Sequence, residues 1–219
     1  HTIGRRQRQM CIRDRFIIGE VFAPGDGVDT IFGGEDGATV SYSWGPDFPE
    51  NGIYSDLKEG IIVDPWGNND EITDVLDVVG TYFSDTFLGD DLDNAFWAVG
   101  GDDFLNGGLG VDLAGYASSQ YIVANLSGSK EPFADTNFQL ENFLPDDLIS
   151  VYGSAGLGAV YTKDDLGGEN LIQISGFEAL LASEGDDVIL GDQSENLFLS
   201  FGGDDLSLIH ISEPTRHAS

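Results

Sequence analysis

The chain has 219 residues and carries 39 aspartates and glutamates against nine lysines and arginines, a formal charge of −30. Nucleic acids and anionic membrane surfaces are held through lysine and arginine, so this balance excludes both as natural partners and favours a cationic one. All three histidines and the single cysteine, Cys11, lie in the first 15 or last 14 residues, which leaves the interior without a His/Cys zinc site or a histidine-assisted nucleophile.

In chain order, the first stretch is Arg5–Arg15, RRQRQMCIRDR, and its counterpart at the other end is Leu206–Arg216, LSLIHISEPTR. Both resemble translated arms of transposase-type sequencing adapters. The resemblance implies that residues 1–15 and 206–219 are adapter-derived tails, foreign to the fold and dispensable for its stability. Residues 16–205 then hold no arginine, three lysines (Lys58, Lys130, Lys163) and 37 acids, a formal charge of −34. Aromatic residues make up 11% of the chain and apolar runs recur, so the acidity does not read as disorder. No stretch reads as a signal peptide or membrane span. Cysteine usage does not separate export from the cytosol.

A nine-residue rhythm begins at 24–41, where PGDGVDTIF (24–32) is followed by a degraded copy, GGEDGATVS, with Ala38 where aspartate is expected. Residues 42–79 form a connector. Residues 80–115 are the clearest block: GTYFSDTFL, GDDLDNAFW, AVGGDDFLN and GGLGVDLAG. Their sixth positions are Asp85, Asn94, Asp103 and Asp112, and their eighth positions Phe87, Phe96, Leu105 and Ala114. A second connector covers 116–181. A last block, 182–205, reads ASEGDDVIL, GDQSENLFL and SFGGDD, with Asp187, Asn196 and Asp205 in sixth place. A longer repeat overlies the short one: residues 72–103 slide onto 174–205 without a gap, leaving 11 of 32 positions identical.

The rhythm has a direct physical reading. Glycines allow tight, left-handed turns. Six residues of turn point carbonyls and one carboxylate inward, and three residues form a minimal strand whose middle side chain faces the core. The pattern predicts an all-β fold with one apolar rung per turn. Aspartate is a short, hard oxygen donor of the kind calcium prefers.

PGDGVDTIF and GGLGVDLAG resemble the glycine- and aspartate-rich nonapeptide of RTX (haemolysin-type) proteins, a calcium-binding β-helix repeat. The resemblance covers most of 16–205. YASSQYIVANLSG (116–128) is similar to the strand pair that follows such a block, and LIQISGFEALLASEGDDVILGD (171–192) to the re-entry into the next. It implies a right-handed parallel β-roll or β-solenoid in blocks joined by short β connectors, two nonapeptides per coil. Calcium would sit between turns eighteen residues apart. The implied ligand pairs are Asp85 with Asp103, Asn94 with Asp112, and Asp187 with Asp205. Asp29 and Asn196 complete the set of candidate metal ligands, and backbone carbonyls fill the shells. Asn94 and Asn196 are neutral, and the turns 80–85 and 89–94 lack paired glycines, with Leu92 at a usual glycine position. Weaker sites are expected there.

The functional expectation is a calcium-ion-binding repeat segment of a larger secreted bacterial protein, extracellular, folding on calcium after export. The implied partners are calcium and type I secretion machinery. One alternative is a repeat segment of a calcium-stiffened surface adhesin. Another is a non-catalytic solenoid region of a secreted hydrolase. A fourth possibility is structural: turn aspartates that only hydrogen-bond. No EF-hand loop, phosphate-binding loop or distinct glycosidase pair emerges, so no catalytic residue is expected. Trp44, Trp66 and Trp97 suit a β core better than a carbohydrate platform.

Overall fold

The computed structural model describes residues 21–34, 37–43, 51–116, 119–126, 158–164, 167–192 and 194–208. Closely spaced glycine turns leave room only for short strands. In chain order these are β1 (Val21–Phe22), β2 (Thr30–Phe32), β3 (Thr39–Ser41), β4 (Tyr54–Asp56), β5 (Ile61–Val63), β6 (Asn69–Thr73), β7 (Asp77–Val79), β8 (Thr86–Leu88) and β9 (Ala95–Trp97). They continue with β10 (Phe104–Asn106), β11 (Leu113–Gly115), β12 (Ser119–Asn125), β13 (Gly158–Asp164), β14 (Glu169–Ser175), β15 (Ala179–Leu181), β16 (Val188–Leu190), β17 (Leu197–Leu199) and β18 (Leu206–Leu208). The described residues are all-β, without a helix, and form two largely parallel sheets.

The smaller sheet runs β1-β3-β7-β9-β11-β15-β17 and the larger β18-β16-β12-β13-β14-β10-β8-β4-β5-β6-β2. From β7 to β11 the chain changes sheet at every strand. A nine-residue repeat therefore places neighbours of one sheet two repeats apart: Phe87 of β8 is opposite Leu105 of β10, and Phe96 of β9 is opposite Ala114 of β11. Parallel pairing requires such a crossover, here made through the opposite sheet.

The core lies between the sheets. In three-residue strands only the middle side chain points inward, and β8, β9 and β10 each bury that residue alone. Val40, Val78, Phe96, Ala114 and Leu180 line one side, and Phe87, Leu105, Ile174 and Ile189 the other, all 3% exposed or less. Phe87 and Phe96 meet across the gap with ring centroids 5.2 Å apart, and Phe177 packs edge-on against Phe96 at 6.1 Å. Burying each large side chain contributes roughly 1.5–3 kcal/mol.

Both connectors contain a three-stranded meander inserted into the larger sheet. In the first, β4 pairs parallel with the later β8, β5 is antiparallel to β4 and β6, and β6 pairs parallel with the earlier β2. In the second, β12 pairs with the later β16, β13 with β12 and β14, and β14 with the earlier β10. Of the stretch 116–128, expected to supply a strand pair, the described residues form one strand, β12, whose antiparallel partner β13 comes from residues 158–164. Ser119–Asn125 holds no glycine or proline and runs as one seven-residue strand.

The long repeat is also structural. The starts of β7, β8, β9 and β10 at 77, 86, 95 and 104 recur as β15, β16, β17 and β18 at 179, 188, 197 and 206. The strand pattern thus runs across the 205/206 boundary, and Leu206–Leu208 pair with Val188–Leu190. Backbone pairing on an open edge asks little of sequence, and Leu206 is half-buried there.

Candidate metal centre

Four of the turns between the sheets end in a residue whose side chain folds back into the turn. Thr81 N–H donates to Asp85 Oδ2 (2.7 Å), and Ser183 N–H to Asp187 Oδ2 (3.0 Å). The two asparagines close their turns likewise, Asn94 Oδ1 accepting from Asp90 N–H and Asn196 Oδ1 from Asp192 N–H, both at 2.9 Å. Three other aspartates reach the neighbouring rung. Asp85 N–H donates to Asp103 Oδ1 (2.8 Å), Asn94 N–H to Asp112 Oδ1 (2.8 Å) and Asp187 N–H to Asp205 Oδ1 (3.0 Å), each across 18 residues. All three expected pairs are thus neighbours.

Two further members belong to the same ladders and were not singled out in the sequence. Asp70, in the first connector and fully buried, accepts Asp29 N–H at Oδ1 (2.9 Å) and the Tyr42 hydroxyl at Oδ2 (2.6 Å). Glu178, in the second, accepts Asp112 N–H at Oε2 (3.0 Å). The available signal was an acid two residues before a buried aliphatic: Asp70 before Ile72, and Glu178 before Leu180. Rungs next to the meanders are capped too, by Ile53 N–H to Asp85 (2.7 Å) and Ile122 N–H to Asp187 (2.8 Å). The preceding turn position forms a second, exposed ladder in the opposite sense: Val111 N–H donates to Asp93 Oδ1 and Asp204 N–H to Asp186 Oδ1, both at 2.8 Å.

The first position of the nonapeptide is the floor on which these carboxylates rest. A Cβ on Gly80 would run into Asp85 Oδ2, and one on Gly107 would stand 2.6 Å from Asp112 Oδ2 and collide with the Gly176 carbonyl. Glycine is required there for close approach, since neither residue has a positive φ.

Burial is what sets the electrostatics. Asp85, Asp103, Asp112 and Asp187 are at most 2% exposed. Asp29 and Asn196 are half-buried and Asp205 is exposed. The one ion pair among the described residues, Lys58–Asp91, is on the surface, so no described lysine or arginine pairs with the ladders. Burial raises Asp85 and Asp112 to about 6, the latter helped by the Glu178 carboxylate. Burial, then the Asp85 charge, raises Asp103 to about 9. Burial likewise raises Asp29, Asp187 and Asp70, the last to about 6.

Among the described residues three carboxylate oxygens are buried without a partner: Asp29 Oδ2, Asp103 Oδ2 and Asp112 Oδ2. The Asn94 Nδ2 and Tyr116 hydroxyl are buried and unpartnered as well. Desolvated anionic oxygens without donors are costly, and a hard cation would relieve that cost. Among the described residues no three His, Cys, Asp or Glu side chains converge as a metal cage. A cation here would take one or two carboxylates and complete its shell from carbonyls, as calcium does. The donor set therefore fits calcium and not a thiolate- or imidazole-seeking metal. Of the tryptophans, Trp66 and Trp97 are half-buried, with the Trp97 ring lying over Gly115, and Trp44 lies outside the described residues.

The chain matches no protein-family model and no curated protein.

Proposed function

We propose that this chain is a calcium-binding repeat segment of the RTX (haemolysin-type) kind, a right-handed parallel β-roll belonging to a larger secreted bacterial protein, with no catalysis of its own. The observation that carries the reading is the ladder in which buried Asp103 and Asp112 each accept the N–H of the rung eighteen residues earlier at Oδ1 and leave Oδ2 buried without a partner. The ligands on this reading are Asp29, Asp85, Asn94, Asp103, Asp112, Asp187, Asn196 and Asp205, with turn carbonyls.

Bound calcium supplies positive charge to ladders with which no described lysine or arginine pairs. The protein's own residues supply the coupling: Asp103, Asp112 and Asp205 each hold the N–H of the neighbouring rung, so binding free energy becomes folding free energy. Stacked repeats stabilise their neighbours, which makes the transition cooperative. Without metal, the net charge of −30 opposes compaction. Sites with dissociation constants of about 10⁻⁴–10⁻³ M stay empty at cytosolic calcium and fill outside the cell, which suits export of an unfolded chain.

The test is circular dichroism and hydrodynamic radius of the full chain in chelator, followed by calcium added into the millimolar range. The expected result is an expanded chain that becomes compact and β-rich with calcium. A compact β-rich chain in chelator, unchanged by calcium, overturns the reading. That outcome would favour a second one, a metal-independent stack, which is supported by the backbone N–H that each ladder carboxylate already accepts.

A further inference from the structure

The two meanders leave equivalent junctions in the smaller sheet, where a strand pairs with the first strand after the insertion. At the first junction β3 meets β7, and the residues just before the strands are Ala38 and Leu76, with Leu76 N–H donating to the Ala38 carbonyl (3.0 Å). At the second, β11 meets β15, and the corresponding residues are Asp112 and Glu178. One chain therefore contains the same rung twice, once apolar and once acidic.

The acidic version is a built site. Asp112 is 1% exposed. Its Oδ1 accepts Asn94 N–H, its own N–H is held by Glu178 Oε2, and its Oδ2 has no partner. The Gly176 carbonyl and Asp112 Oδ2 converge over Gly107, where no side chain would fit. No lysine or arginine pairs with either acid among the described residues. A buried carboxylate with one oxygen unsatisfied, a half-buried glutamate bonded to its backbone N–H and a carbonyl beside it call for a counter-charge.

We propose that Asp112 and Glu178 form a divalent-cation rung that clamps the 80–115 block to the block after the second meander. The rung rests on the calcium reading above and adds to it a ligand, Glu178, that lies outside every nonapeptide. Donors of mixed carboxylate and carbonyl type, in an irregular turn, suit calcium better than octahedral magnesium. The consequence is long-range: calcium at this rung ties together segments 66 residues apart, so the two blocks fold as one unit.

The experiment is calorimetric titration of the full chain with calcium chloride, together with melting in chelator and in calcium. Glu178→Gln keeps an oxygen to accept Asp112 N–H but removes the charge. The expected result is loss of one binding event, or its weakening by about tenfold or more, because ligand charge sets affinity. Melting in chelator should be unchanged. Should that variant fail to fold, the double variant Asp112→Ala/Glu178→Leu reproduces the Ala38/Leu76 rung and should fold with the same loss. Unaltered stoichiometry and affinity in the folded variants overturns the rung while leaving calcium binding elsewhere intact. Equal destabilisation of Glu178→Gln in chelator and in calcium also overturns it, as a purely structural contact. A wild-type chain that neither binds calcium nor melts higher with it overturns this proposal and the reading beneath it.

Discussion

Asp103 Oδ1 accepts the backbone N–H of Asp85 at 2.8 Å, while Asp103 Oδ2, equally buried, accepts nothing. One side chain thus does two opposed things: it holds two rungs together and leaves a carboxyl oxygen desolvated between them.

That duality predicts a change of sign. Asp103→Asn preserves the acceptor and does not ionise, so in chelator at neutral pH the fold no longer has to take up the proton that burial of Asp103 demands, and the melting temperature should rise or stay unchanged. In millimolar calcium the same substitution should lower it, because a charged ligand is lost. Asp103→Ala strands the Asp85 N–H and should destabilise in both conditions, by about 1–3 kcal/mol. Two-condition melting curves of the three chains check this, and Asn behaving alike in both conditions would refute it.

The raised carboxyls make the calcium-free fold sensitive to alkali. Asp70 and Asp85 stand near 6 and Asp103 near 9, against an ordinary 3.8, each chiefly through burial. Around Asp103 the Asp85 and Asp102 carboxylates add to this. A folded value above the unfolded one means that the fold holds protons which the unfolded chain releases. Stability from these groups is therefore present below about pH 4 and lost as pH rises through about 6 and then about 9. Melting temperature measured in chelator should fall steadily from about pH 5 to about pH 8, and a rise over that window would contradict the burial of these groups.

Gly80 and Ala182 occupy equivalent places in the long repeat, yet a Cβ on Gly80 would meet Asp85 Oδ2 and come 2.7 Å from Phe87 Cζ. The residue matching Phe87 in the later copy is the smaller Ile189. Gly80→Ala should cost about 1–3 kcal/mol through overpacking. Adding Phe87→Ile should restore part of it, with a coupling of about 0.5–3 kcal/mol in a double-mutant cycle. Strict additivity in denaturant titrations would show that the ring is not what crowds Gly80.

β18 pairs with β16 through Leu206–Leu208, and Leu206 N–H donates to the Asp187 carbonyl at 2.8 Å. A chain ending at Asp205 should lose that ladder and melt lower by roughly 2–4 °C, the shift expected for about 1 kcal/mol in a domain of this size. Differential scanning fluorimetry of the shortened chain decides it. Unchanged melting would mean that this edge pairing contributes nothing and that the segment is as dispensable as its adapter-like sequence implies.

The sequence by itself determined the local unit. Glycine density, a carboxylate in sixth place and an apolar residue in eighth place dictate a turn, an inward acid and a three-residue strand, because each depends on neighbours within nine residues. That is why Phe87, Phe96 and Leu105 could be placed in the core from spacing, whereas the pairing of Asp85 with Asp103 came from the resemblance to RTX repeats. The tertiary structure decided what crosses the connectors. Asp70 reaches Asp29 across 41 residues and Glu178 reaches Asp112 across 66, and no short period links either pair. They meet because each meander returns the chain to the rung it left, so that an acid in irregular sequence takes the place a repeat aspartate would have held. Pairing across an inserted meander depends on which strand edge is free when the chain comes back, and sheet packing decides that where residue type does not.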